Sequence, residues 1–161
     1  MTSAAQFGRT LRVASLALGY PDAGWQRTLP LLTAAAGTLA AAGGAPMRRF
    51  LAAVAGQDLT RLQQAYVDTF DLRRRCCLYL TYFSCGDTRK RGMAMLQFTA
   101  AYRTAGFELV TGELPDHLAV LCEFTAAAPA MELATHRHHY SRLGDAMQNI
   151  ITQYRLIEAG K

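Results

Sequence analysis

The chain has 161 residues, 51% of them hydrophobic and 18% charged. That composition excludes a disordered chain and leaves enough apolar material for one packed domain without metal or disulfide staples. Its 17 Lys and Arg against 12 Asp and Glu give a formal charge of +5, which taken alone points toward nucleic acid or an anionic surface. In chain order, Phe7, Leu11, Ala14 and Leu18 fall on one helical face, so the short apolar run after Arg9 and Arg12 predicts an amphipathic first helix rather than a signal peptide. Tyr20-Pro21-Asp22 reads as a turn. A second helix is expected from about Gly24 to Ala42, stopped by Gly43-Gly44, with Pro46 opening a short third helix up to Val54. Asp58 is placed to cap the next helix, whose apolar stripe is Leu59, Leu62, Tyr66 and Phe70 before Arg73-Arg74-Arg75 interrupts it.

Cys76 to Phe83 is a continuous apolar run, read as helix or irregular buried segment because no neighbouring stretch alternates as a strand would. Asp87 is expected to cap a long helix reaching about Ala105, with Gly106 ending it and Met95, Phe98 and Tyr102 facing inward. Phe107 to Leu114 reads as a loop. Pro115 then stands in the first turn of a helix that turns Leu118, Leu121 and Cys122 inward, and Pro129 marks a break. Leu133, Tyr140, Met147 and Tyr154, with Leu143, Ile150 and Ile157 beside them, predict a last bundle helix. The fold class expected is all-α: one domain over residues 1–161, a bundle of about seven helices. No stretch is apolar for the ~20 residues a bilayer crossing takes.

Chemistry-bearing motifs are few. There is no P-loop, G-x-S-x-G, H-E-x-x-H or G-x-G-x-x-G. Cys76, Cys77, Cys85 and Cys122 match no zinc or C-x-x-C spacing and read as buried free thiols in a reducing compartment. His136-Arg137-His138-His139 lacks a third ligand at metal spacing and reads as a polar helix face, so no metal site is expected. Charge is polarised along the chain. Thr104 to Thr135 has no Lys or Arg and carries Glu108, Glu113, Asp116, Glu123 and Glu132, a formal −5, while the rest holds 17 basic residues against 7 acidic. Such a segment suits a basic amphipathic partner peptide, or simply places acids at helix N-termini. The segment from Tyr79 to Gly92 joins three aromatics to a basic turn. It can be the wall of a peptide groove. In a nucleic-acid-binding regulator, the alternative reading, Arg73, Arg74, Arg75, Arg89, Lys90 and Arg91 would meet phosphates while Tyr79, Tyr82 and Phe83 stack on bases.

Three stretches carry a family resemblance: Tyr66 to Arg75 (YVDTFDLRRR), Leu78 to Gly92 (LYLTYFSCGDTRKRG) and Glu113 to Leu118 (ELPDHL). They resemble the NarJ family, assembly chaperones of respiratory nitrate reductase within the TorD/DmsD/NarJ group. The likeness is dense from about Leu59 to Phe124, extends to Leu18 to Asp22, and fades after Pro129. It implies an all-α fold, a cytoplasmic location and no enzymatic turnover. It also implies binding of the N-terminal segment of the nitrate reductase catalytic (alpha) subunit until molybdenum cofactor is inserted. The implied peptide-binding residues are Tyr66, Phe70, Asp71, Tyr79, Tyr82, Phe83, Asp116 and His117. No permanently bound cofactor is implied; Arg89, Lys90 and Arg91 are the candidates for transient contact with the anionic molybdenum cofactor of the partner. A monomer or weak homodimer is expected, without nucleic acid or stable membrane insertion. His117 is a group that could titrate near neutrality beside Asp116, or hold structure through hydrogen bonds.

Overall fold

The computed structural model describes residues 4–86, 88–110 and 112–127. Among these the chain is all-α: α1 Ala4–Ala17, α2 Ala23–Gly37, α3 Ala41–Val54, α4 Leu59–Tyr66, α5 Leu80–Cys85, α6 Arg89–Thr104 and α7 Leu118–Ala127. A π turn over Val67–Asp71 widens the end of α4, and a 3-10 turn spans Arg74–Cys76. The predicted last helix, Pro129, Glu132 and the histidines at 136–139 lie outside the described residues. No helix among the described residues is long and apolar enough to cross a membrane.

Two apolar centres organise the helices. In the first, α1 lies along α7, and Leu11, Ala14, Leu18, Phe70, Cys76, Leu78, Leu80, Tyr102, Leu118, Leu121 and Cys122 are buried together. In the second, α2 and α3 form an antiparallel pair against α1, closing over Val13, Leu32, Ala36, Leu39 and Leu51. The face predicted for α1 is correct at Leu11, Ala14 and Leu18; Phe7, at its start, is exposed. The carbonyls at the C-terminal end of α1 are satisfied by distant side chains: the Trp25 indole N–H donates to Leu16 (2.9 Å) and the Tyr66 hydroxyl to Leu18 (3.0 Å).

Local signals place most helix ends. Asp22, read as part of a turn, caps α2 by accepting the Trp25 N–H at 2.7 Å, and Asp58 caps α4 by accepting the Arg61 N–H at 3.1 Å. Gly106 follows α6 with φ +80°, and Phe107 N–H reaches back to the Tyr102 carbonyl at 2.9 Å, the αL stop expected of that glycine. The cap predicted at Asp87 falls outside the described residues. Thr88, next to α6, turns its hydroxyl to the Cys85 carbonyl instead.

Two boundaries differ from the expectation. The chain reverses at Thr38–Leu39–Ala40, not at Gly43-Gly44, and both glycines lie inside α3, as does Pro46. The reversal is drawn inward by Leu39, which is buried in the second centre. The glycines serve close approach: a Cβ on Gly43 would stand 2.8 Å from Thr10 Cγ2, and one on Gly44 2.8 Å from the Leu39 carbonyl oxygen. The second difference is at Pro115, which precedes α7 by three residues instead of sitting in its first turn. Its carbonyl accepts the Tyr102 hydroxyl at 2.5 Å, so this proline holds the turn before α7 against α6.

Candidate functional site

The segments 77–81 and 113–118 meet side by side. Tyr79 and His117 form an isolated antiparallel bridge. Leu80 N–H donates to the Asp116 carbonyl (3.1 Å) and Leu118 N–H to the Leu78 carbonyl (2.8 Å). Asp116 is fully buried, and its Oδ2 accepts both the Thr81 N–H (3.1 Å) and the Thr81 hydroxyl (2.5 Å). The amides of Leu80 and Thr81, the first two of α5, therefore both end on Asp116, far along the chain. Asp116 caps α5 across the fold, which satisfies donors that a helix of six residues cannot satisfy itself. Its other oxygen, Oδ1, has no partner among the described residues.

The next residue does the same for α7. His117 is buried at 6% exposure, and its Nδ1 accepts the Ala119 N–H at 3.3 Å. Burial lowers its pKa, opposed by Glu113 and Asp116 nearby. A ring nitrogen accepting a backbone N–H requires the unprotonated form at that atom. His117 is therefore neutral near pH 7 and acts as a structural hydrogen-bonding residue.

Around this centre Tyr79 donates its hydroxyl to Glu113 Oε1 at 3.1 Å and packs edge-on against His117 at 5.2 Å. Burial, with the Glu113 carboxylate beside it, pushes the Tyr79 hydroxyl up to about 12. Arg91 lies 5.5 Å over the Tyr79 ring and donates from Nε to the Thr81 hydroxyl at 3.3 Å. The candidate cation trio is thereby divided: Arg91 is half-buried and held, whereas Arg89 and Lys90 are exposed. Cys122 is buried and its thiol is pushed up to about 12, so it is an inert core group. The four cysteines are all free, as expected, but only Cys76 and Cys122 are buried, and Cys77 and Cys85, also read as buried, are partly exposed. No cluster of metal-ligating side chains occurs among the described residues.

The remaining candidates fall on two other places. Tyr66 and Phe70 pack against each other at 4.7 Å, and Tyr66 also meets Tyr20 edge-on at 5.3 Å. Phe70 is buried in the first centre, so it holds shape there. Asp71, at the end of the π turn, is exposed. Tyr82 and Phe83 stand on the outward side of α5. Tyr82 is half-buried, Phe83 is 51% exposed, and the rings meet edge-on at 6.4 Å. Asp116, implied as a peptide-binding residue, instead lies in the interior with Thr81. Sequence reasoning overlooked Thr81. Its one signal was a hydroxyl inside an otherwise apolar run, a group that needs a partner once buried.

The fold matches the crystal structure of an Archaeoglobus fulgidus protein assigned as a redox enzyme maturation protein. The TM-score is 0.64 and the identity 25%, over 92% of this chain and 90% of that one. The chain belongs to the family described as nitrate reductase delta subunit, whose model matches residues 31–156. It is 34% identical over 123 residues to the Bacillus subtilis protein assigned as the nitrate reductase molybdenum cofactor assembly chaperone NarJ, 74% of this chain and 65% of that protein. Against the Escherichia coli K12 chaperone NarJ it is 34% identical over 125 residues, 76% of this chain and 53% of that one. A stretch of 61 residues is 56% identical to the nitrate reductase-like protein NarX of Mycobacterium tuberculosis, 38% of this chain and 9% of that protein. The chain thus spans between about half and two thirds of the matched chaperones and under a tenth of NarX.

Proposed function

We propose that this protein is a maturation chaperone for a nitrate reductase, without catalytic turnover of its own. It binds the N-terminal segment of the catalytic (alpha) subunit and holds it while molybdenum cofactor is inserted, before membrane docking. The observation that carries this reading is the match of the nitrate reductase delta subunit family to residues 31–156, joined by relatives that are named assembly chaperones. The geometry is compatible with it in a particular way. Asp116, His117 and Phe70 are interior and fix the positions of α5 and α7. Direct contact with a peptide falls to Tyr79, Tyr82, Phe83 and Asp71, with Tyr66 beside them in sequence. Apolar anchors would carry affinity and charged groups would steer capture. Arg89 and Lys90 are the residues proposed for transient contact with the anionic cofactor of the partner, since Arg91 is engaged by Thr81 and Tyr79.

The test is calorimetric titration of the full chain with the N-terminal peptide of its cognate catalytic subunit. Binding in the micromolar range supports the proposal, and no heat at high micromolar peptide overturns it. A parallel gel-shift titration at low salt addresses the nucleic-acid reading, which predicts strong, salt-dependent retention.

A further inference from the structure

We propose that the outer side of α5 is a cation-ringed aromatic platform that docks an apolar stretch of the client protein flanked by Asp or Glu. The proposal rests on the chaperone reading and adds the chemistry of the bound segment. It starts from Arg74. This residue is exposed, yet its guanidinium is fixed from two directions: Nε donates to the Tyr82 hydroxyl at 3.0 Å, and the group lies 5.8 Å from the centre of the same ring. Tyr82 in turn meets Phe83, whose ring is half in solvent. A guanidinium held in this way loses little freedom when a carboxylate arrives, and Tyr82 occupies only the Nε edge, which leaves both amino nitrogens for a forked contact.

The charges nearby point the same way. Arg73 and Arg75 flank Arg74 and are exposed, and so are Arg89 and Lys90 at the start of α6, which packs on α5. None of these five cations is ion-paired among the described residues, and the exposed acids nearest to them in sequence, Asp68 and Asp71 on the π turn, are outnumbered by them. Three of the acids of the 104–135 segment do not offset them: Asp116 is interior on Thr81, Glu113 is bonded to Tyr79 at the start of α5, and Glu123 is exposed on α7. An aromatic anchor point with an excess of cations around it selects against a purely basic peptide and favours one that pairs an apolar residue with a carboxylate. Nucleic acid is the weaker fit, because stacking platforms use successive exposed aromatics along a track, and here Phe83 is the exposed ring while Tyr82 is engaged by Arg74.

The experiment uses the full chain and two synthetic helical peptides with identical Leu and Phe anchors, one flanked by Glu and one by Lys, read by fluorescence anisotropy. The cognate N-terminal peptide and a dT20 oligonucleotide are measured beside them. The Glu peptide is expected to bind about tenfold tighter than the Lys peptide at about 50 mM salt, with the gap closing as salt screens the charges. Arg74→Gln should remove about fivefold from the Glu peptide and nothing from the Lys peptide. Arg74→Lys, which keeps the charge but not the fork, should fall between. Phe83→Ala should weaken both peptides. These positions are exposed, so the circular dichroism spectrum and urea midpoint should be unchanged. Equal affinity for the two peptides, preference for the Lys peptide, or displacement of the Glu peptide by dT20 at lower concentration overturns the proposal. If the cognate peptide binds but Arg74→Gln leaves it and the Glu peptide unaffected, the platform is wrong and the chaperone reading stands. If the cognate peptide fails to bind, the chaperone reading falls while the Glu/Lys pair still decides the platform.

Discussion

The two apolar centres of the molecule are held by different physics. In the centre that α2 and α3 close against α1 the packed side chains are Val, Leu, Ala, Met and Phe, and polar support comes from outside it, as where Arg48 donates from Nη1 to the Ala36 carbonyl at 2.9 Å. The centre between α1, α5, α6 and α7 has apolar walls too, but at its edge sit Asp116, His117 and Thr81, all buried, with Asp116 accepting the Thr81 N–H and hydroxyl and His117 accepting the Ala119 N–H. The first depends on volume and tolerates any change that preserves it. The second depends on a few directed bonds, so it tolerates little substitution but sets the direction of α5, whose outer side carries Tyr82 and Phe83. Shape-critical parts of a binding protein need that second kind of support, since a hydrogen bond fixes orientation as well as proximity.

The contrast can be broken most sharply at Asp116. Asp116→Ala leaves the Thr81 N–H and hydroxyl buried without an acceptor and should cost roughly 3–4 kcal/mol of unfolding free energy. Urea denaturation checks this, and a loss no larger than that of a surface substitution would show that the polar centre is not a support. Leu32→Ala in the other centre removes a side chain with 1% exposure and should cost about 3 kcal/mol, falling if the helices close over the cavity. Gly44→Ala should cost roughly 1–2 kcal/mol by the same measurement, because its Cβ meets Leu39 backbone and Cβ at 2.8 and 3.0 Å and the overpacking outweighs the gain in helix propensity.

The smallest effect expected is a pH dependence confined to the polar centre. His117 has a folded pKa lowered by burial, so the unfolded chain binds the proton more readily. Its contribution is present above the unfolded value near 6.5 and is lost as pH falls from there through the lower folded value. The urea midpoint should therefore drop as pH falls from 7.5 to 5, by less than any of the three substitutions lowers it. His117→Gln should flatten that slope, and an unaltered slope in the variant would remove His117 as its source.

Much of the fold was legible because helix ends are local events. The cap at Asp58, the stop at Gly106 and the inward faces at Leu118, Leu121 and Cys122 follow from spacing and residue type alone. Gly43-Gly44 misled because a glycine pair carries two meanings, a stop or a close approach. Which one applies depends on Thr10 and Leu39 arriving from elsewhere. Asp116 was harder for the same reason. In sequence it is an acid after a proline, indistinguishable from a surface cap, and it is its pairing with Thr81, 35 residues earlier, that places it inside. The apolar run from Cys76 to Phe83 read as uniformly buried, yet it goes in at Leu78, Leu80 and Thr81 and out at Phe83. That division follows from Asp116 capping α5 and could not be seen from the run itself.

The bridge between Tyr79 and His117 also has a consequence in time. The bonds from Leu80 to Asp116 and from Leu118 to Leu78 close a loop of about 40 residues that contains all of α6, and closing such a loop carries an entropy cost that local helix formation does not. These two bonds should therefore form after α5 and α6 have begun to coil, and once formed they keep both ends of that lobe at high effective concentration. Amide hydrogens on Leu80 and Leu118 should then exchange with solvent at a shared, slow rate. They mark one cooperative unit whose opening exposes α6 from both ends at once.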